Sequence, residues 1–404
     1  MNISTERLLT RNFWLYGGMK IFTKRVFLPL VAIYLVEVGG LTLQQIALIA
    51  TLFAVVSIGA EVPTGYFADR ITRKASLTAS AVLLMTMSVI LALFPSFTGA
   101  ILATIFEATG YAFLTGAAEA LIHDTLVQQK REKAYTKIVA RAQSIGLVGN
   151  IVLVAVVSAT YKINPHLPFV LSIFAYGSLL GFVSLLYEPP RARAVSEIHP
   201  MKDLLTSLRL FINRRTFLIF LAIGLISGFY NGSSDFVNLA FKDLGMAPSL
   251  LGVLFSASSA VAVIVSFNAS FLKRMPLKYY QMFDLVLVTS MLIGIGLTKS
   301  LYFAIPAFLA TVGFRRLRNI VYQHHLLDMF PGVKNKATLI STSSLFGRLN
   351  EVWLPLSFGY VIHRFGYYDG FVFISVIFLI LVALVIIASD KNLQRSVKSY
   401  NDRR

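Results

Sequence analysis

Of the 404 residues 56% are hydrophobic and only 14% charged, where a soluble domain carries about 25% charged residues, so a water-covered globular fold is excluded. There is no cysteine, which excludes disulfides, thiolate metal sites and thiol nucleophiles. The net charge of +18 would suit nucleic acid or an anionic surface, and its distribution along the chain decides between those partners and topology.

Apolar blocks such as Leu43 to Ile58, Ala75 to Phe94, Leu167 to Leu186 and Phe371 to Ala388 approach the roughly 20 residues that a helix needs to cross the hydrocarbon core. The alternation of spanning strands is absent. The pattern predicts an all-α membrane protein of twelve transmembrane helices, near 12–36, 43–66, 75–95, 99–124, 135–161, 167–187, 215–241, 249–271, 278–298, 300–328, 337–363 and 367–388. Arg7 and Arg11 precede a first span that is interrupted by Lys20, Lys24 and Arg25 and followed by no small-residue cleavage site. It is therefore expected to stay in place and not to act as a cleaved signal peptide.

Alternate loops differ in charge. One set carries Arg70, Arg73 and Lys74, then Lys130, Arg131 and Lys133, the basic residues from Arg191 to Arg215, then Lys273, Arg274, Lys278, Lys334 and Lys336, and it includes both termini. The other set has little beyond Lys162, Lys242, Lys299 and Arg364. By the positive-inside rule the basic loops and both termini are cytoplasmic. Topology thus accounts for most of the net charge, and no nucleic-acid partner is expected.

The longest loop, Glu188 to Thr216, opens on Pro189 and Pro190. It repeats Leu204, Leu205, Leu208, Phe211 and Ile212 at helical spacing beside Lys202, Arg209, Arg214 and Arg215. This predicts an amphipathic helix on the cytoplasmic leaflet. The expected organisation is a six-helix bundle over 1–188, a linker over 189–215, a second bundle over 216–390 and a basic cytoplasmic tail over 391–404. Spans four and ten end at Asp124 and Asp328, each followed by a short basic loop and a new helix near Ala134 or Ala337, a weak internal repeat.

The segment Gly65-Tyr-Phe-Ala-Asp69-Arg70-Ile-Thr-Arg73-Lys74, between spans two and three, resembles the signature of the major facilitator superfamily. The preceding Glu61-Val-Pro63-Thr resembles a variant found in bacterial efflux-type members. The resemblance implies two pseudo-symmetric six-helix bundles in the bacterial inner membrane, working by alternating access. It also implies a cytoplasmic latch made by Glu61, Gly65, Asp69, Arg70, Arg73 and Lys74. Physically, Gly65 permits a tight helix exit, and Asp69 can accept charge-assisted bonds from the basic residues. The chain departs from the family pattern in several places. Thr72 stands for the usual turn glycine, Lys273-Arg274-Met-Pro276 lacks the acid, Phe106 replaces an arginine of span four, and span five offers Gly146 and Gly149 in place of a Gly-Pro signature.

Ionisable side chains inside a membrane are expensive and mark function by default. The resemblance implies a cavity lined by spans one, four, seven and ten, and most deep charges fall on those spans: Lys20, Lys24 and Arg25; Glu107, Glu119 and His123; Asp235 with Asn231 and Asn238; Arg315, Arg316 and Arg318. The surplus is positive, which concentrates anions, and arginine suits carboxylate or phosphate. Lys20, Lys24, Arg25, Asn231, Asn238, Arg315, Arg316 and Arg318 are the expected binding residues for a small anionic substrate. Some of the span-ten arginines are expected to pair with Glu107 or Asp235. Glu107, Glu119 and Asp235 are the expected proton-coupling residues. On span eleven, Arg348 and Glu351 are spaced to pair within their helix.

Export by proton antiport is expected from the resemblance, in a monomer that needs the bilayer and no cofactor or metal. Two alternatives within transport stay open: anion uptake by symport, and multidrug efflux through an aromatic site of Phe22, Phe27, Phe106, Tyr111, Phe113, Phe229 and Tyr230. An enzyme is not expected. His324 and His325 are adjacent and point about 100° apart on a helix, which suits no shared metal.

Overall fold

The computed structural model describes residues 3–189, 214–266, 269–329 and 336–401, leaving out some side chains, among them those of Asp69, Arg215 and Arg316. The expected linker helix, the side chains of the basic tail, and the readings that rest on the Asp69 and Arg316 side chains lie outside the described residues. Every regular element described is helical. In chain order they are α1 (Ile3–Phe22), α2 (Val31–Glu37), α3 (Leu43–Arg70), α4 (Arg73–Leu93), α5 (Phe97–Leu114), α6 (Ala117–Gln128), α7 (Tyr135–Ala159), α8 (Leu167–Leu185), α9 (Arg214–Asp243), α10 (Pro248–Ser266), α11 (Ala269–Arg274), α12 (Leu277–Thr298), α13 (Leu301–Met329) and α14 (Lys336–Asn401). The last is interrupted at Gly366, whose φ of 79° suits only glycine without strain, between the expected spans eleven and twelve.

Nine stretches among the described residues are long and apolar enough to cross a membrane, and Ser343–Ser389 covers two of the expected spans. The first and tenth spans are not among the nine. They carry the clustered basic residues, whose charge offsets their apolar neighbours.

Two spans expected to be continuous are broken. Span one ends its long helix at Phe22 and resumes only at Val31. Pro29 lies in that gap, lacks an N–H and disfavours helix at the residue before it. Span four breaks at Thr115, which is extended, and at Gly116, with φ of 81°.

The chain gathers into two compact units, one of residues 1–42, 52–198 and 247–256, the other of 43–51, 199–246 and 257–404. In the first unit, the Tyr34 ring lies 4.2 Å from that of Phe169, tilted by 35°, and its hydroxyl donates to Leu91 O at 2.9 Å. Where α4 meets its neighbours its small residues Ser76, Ser80, Ala81 and Ser88 are fully buried, which permits close helix approach. The start of α10 belongs here, with Ser256 Oγ donating to Ile151 O at 2.7 Å.

In the second unit, α9 lies along α14 on Gly224, Gly228 and Gly232, one turn apart. A Cβ at Gly228 would come within 2.9 Å of the Asn350 backbone. Phe229 stacks on Phe378 at 3.9 Å beside this seam. Gly228→Leu should therefore lower stability by about 1–3 kcal/mol through overpacking. A melting curve of the purified protein checks it, and an unchanged midpoint would refute the close seam.

Candidate functional site

The broken spans of the first unit carry two ion pairs. Lys20, in the last turn of α1, places Nζ 2.6 Å from Glu119 Oε1 in the first turn of α6. Tyr16 OH donates to the same oxygen at 3.3 Å. Within the gap of span one, Arg25 Nε lies 2.8 Å from Glu107 Oε1 on α5. The Arg25 guanidinium sits over the rings of Phe53 at 4.2 Å and Tyr111 at 4.8 Å, and Tyr111 OH is 3.0 Å from Tyr176 OH. Two acids of span four, Glu107 and Glu119, thus each meet one base of span one. Aromatic faces add a weaker attraction for the guanidinium.

The second unit treats two neighbouring arginines of α13 differently. Arg318 and Asp284 of α12 are almost fully buried, 4% and 5% exposed, with Nε 2.7 Å from Oδ2. Arg318 Nη2 donates to Ile223 O at 2.5 Å and Tyr322 OH to Asp284 Oδ2 at 2.9 Å. Phe220, Tyr280, Leu317 and Val321 pack in the core at this level. Arg318 thus has a direct counter-charge in a dry core. Arg315, three residues earlier and half-buried, has a neutral partner: Nη2 donates to Asn231 Oδ1. Asn231 Nδ2 in turn donates to Glu351 Oε1, and the guanidinium lies 3.7 Å over the Tyr230 ring. Its Nε, like that of Arg318, is buried and makes no hydrogen bond among the described residues, so the two arginines differ in their partners and not in this atom.

The remaining expected residues are spread more widely. Lys24 is exposed, Asp235 half-buried and Asn238 buried, its Oδ1 without a hydrogen-bond partner among the described residues. Glu107, expected as a partner for a span-ten arginine, is taken by Arg25. Of the signature residues, Glu61, Gly65 and Arg70 are exposed on α3, which runs on to Arg70 and does not exit at Gly65 as expected, and Arg70 sits 5.1 Å over the Tyr66 ring. Thr72, found where the family has glycine, caps α4 by accepting from Ala75 N at 2.9 Å. Glu188 extends that cap, taking Arg73 N at 2.9 Å and Lys74 N at 2.7 Å. Lys74 Nζ donates to Ser184 O and Leu186 O at the end of α8. Both charges complement the helix ends that they meet.

Sequence reasoning missed Asp284, Glu188 and the link from Glu351 to Asn231. Asp284 is a lone acid in the apolar run Leu277–Thr298, and the rule that intramembrane charges seek partners would have found it. Glu188 and the Asn231 link depend on contacts far apart in sequence.

Residues 13–316 match the sequence family described as Major Facilitator Superfamily. An uncharacterized MFS-type transporter of Bacillus subtilis (strain 168), YxaM, is 22% identical over 383 residues, covering 92% of this chain and 94% of YxaM. The crystal structure of the nucleoside transporter NupG superposes with a TM-score of 0.78 at 13% identity, over 95% of this chain and 99% of NupG. An inward-facing, unoccupied bacterial homolog of the human lysosomal transporter Spinster gives 0.73 at 16% identity, over 98% of each chain. At such identities the structural likeness shows the fold.

Proposed function

This chain belongs to the major facilitator superfamily and is a multi-pass membrane transporter, and from that premise we propose that it moves a small organic anion by alternating access, with protons as the coupling ion. The observation that carries the reading is Arg315. Lys20, Arg25 and Arg318 each lie within 2.8 Å of a carboxylate, whereas Arg315 is held by a carboxamide and a ring. A guanidinium with that environment keeps charge and donors for a carboxylate or phosphate. Asn231 supplies a neutral hydrogen-bonding group beside it, and Asn238 lies two turns along the same helix. Glu107, Glu119 and Asp235 stay as proton-coupling candidates. The signature loop from Glu61 to Lys74 stays as the latch, with both termini cytoplasmic in a monomer of the inner membrane.

The test is flux in proteoliposomes under an imposed pH gradient, with labelled benzoate, malate and citrate against the lipophilic cation tetraphenylphosphonium. Gradient-driven movement of an anion is expected. The side that must be acid separates export by antiport, the direction implied by the efflux-type resemblance, from uptake by symport. Movement of the cation alone would sink the anion reading and leave multidrug efflux.

A further inference from the structure

Asn231 stands between two opposite charges and touches both. Its carboxamide nitrogen donates to Glu351 Oε1 on α14 and its oxygen accepts from Arg315 on α13. The amide therefore carries the state of one charged group to the other without letting them meet. We infer that Glu351 is the proton-binding partner of the anion site and acts on Arg315 through Asn231, an inference that rests on the anion reading above.

Three other acids of the membrane spans suit this role less well. Glu107, Glu119 and Asp284 are each in direct contact with a base, and a proton on any of them would leave that base without its counter-charge. Glu351 is joined to Arg315 only by a neutral link, so its protonation breaks no direct ion pair. Among the described residues the ionisable groups nearby are few. Arg348 is one turn earlier on α14, and Tyr230 and Asp235 lie on α9 with Asn231. Arg315 and Arg318 come from α13, and Asp284 comes from α12. The start of α3, whose Thr51 Oγ1 donates to Val352 O at 2.9 Å, carries no ionisable residue from Leu43 to Thr51.

The coupling then has a definite sign. With Glu351 ionised, its charge offsets that of Arg315 and the site holds anions weakly. With Glu351 protonated, the guanidinium charge is left for the carboxylate of a substrate. Proton and anion bind together, which is the thermodynamics of symport and opposite to the antiport expected from sequence. Across the Glu351 transition, anion affinity should fall by as much as about tenfold for each unit rise in pH.

A ligand-free reporter is built in. The chain has two tryptophans, and Trp353, two residues past Glu351, donates from Nε1 to Asn350 Oδ1 at 3.1 Å. In full-length Trp14→Phe protein, Trp353 emission is followed from about pH 5 to 9, around the operating pH at which a group that trades protons works best. A single-proton transition is expected, absent in Glu351→Gln and changed in Arg315→Gln, since a nearby opposite charge acts on the ionised form. Asn231→Ala keeps both charges but removes the bridging amide, so it should retain the transition and reduce its response to Arg315→Gln to the through-space part, which keeps the inference testable if Glu351→Gln folds poorly. No transition, one that persists in Glu351→Gln, or one that ignores Arg315→Gln would overturn it. A transition that responds to the variants but not to saturating benzoate, malate or citrate would count against the anion reading itself.

Discussion

Replacing Arg315 by glutamine is expected to abolish stabilisation by organic anions while leaving the protein folded. An anion present at about a hundred times its dissociation constant adds roughly 2.7 kcal/mol to the folded state, and that increment should vanish in Arg315→Gln. The fold itself should lose little, because Arg315 gives up one bond to Asn231 and a stack on Tyr230, which together amount to about 1–2 kcal/mol. Arg315→Lys should recover part of the anion response, since lysine restores the charge but not the planar fork. Thermal melts of detergent-purified protein with and without benzoate, malate and citrate measure all three states. Undiminished anion stabilisation in Arg315→Gln would remove this residue from the site, and stabilisation by lipophilic cations alone would remove the anion.

Removing the acid from the neighbouring pair should have a different consequence. Asp284→Ala strands a guanidinium that is 4% exposed, and breaking a buried pair from one side costs about 3–5 kcal/mol. The double substitution Asp284→Leu with Arg318→Met should recover most of that loss, because well-packed apolar residues replace a buried ion pair at little or no cost. Melting temperatures of the two variants check the energetics, and transport by the double variant checks the role. A double variant that is stable and transports would leave Arg318 a structural residue. One that is stable and silent would return it to the substrate site, where the sequence alone had placed it.

The two predictions separate residues that sequence treats as equals. Arg315 and Arg318 are three apart on one helix, in the same span, and both read as candidates for an anion. What divides them is the partner each meets: an aspartate of α12 for one and a carboxamide of α9 for the other. Those partners lie 34 residues before Arg318 and 84 residues before Arg315, and no local pattern ties either of them to its arginine. Lys20 and Arg25 teach the same lesson in reverse. They count as surplus charge along the chain, yet the structure gives each an acid from span four, so the positive surplus of the described cluster contracts toward Arg315.

Sequence by itself determined the all-α membrane fold, the positions of most spans and the charged character of spans one, four and ten. These follow from local quantities: the length of an apolar run against the bilayer thickness, and the cost of charge within it. It also marked the signature loop, since a Gly, an Asp and basic residues at fixed spacing are local too. Only the tertiary structure decided that spans one and four are broken, that Thr72 and Glu188 jointly cap α4, and which charges are already neutralised. The breaks have local cues, Pro29 in span one and Gly116 in span four, that the hydropathy of a run does not weigh, whereas the Glu188 contact and the ion pairs depend on groups brought together from distant parts of the chain. A buried charge is defined by the one neighbour that it meets, and the order of residues does not state which neighbour that is.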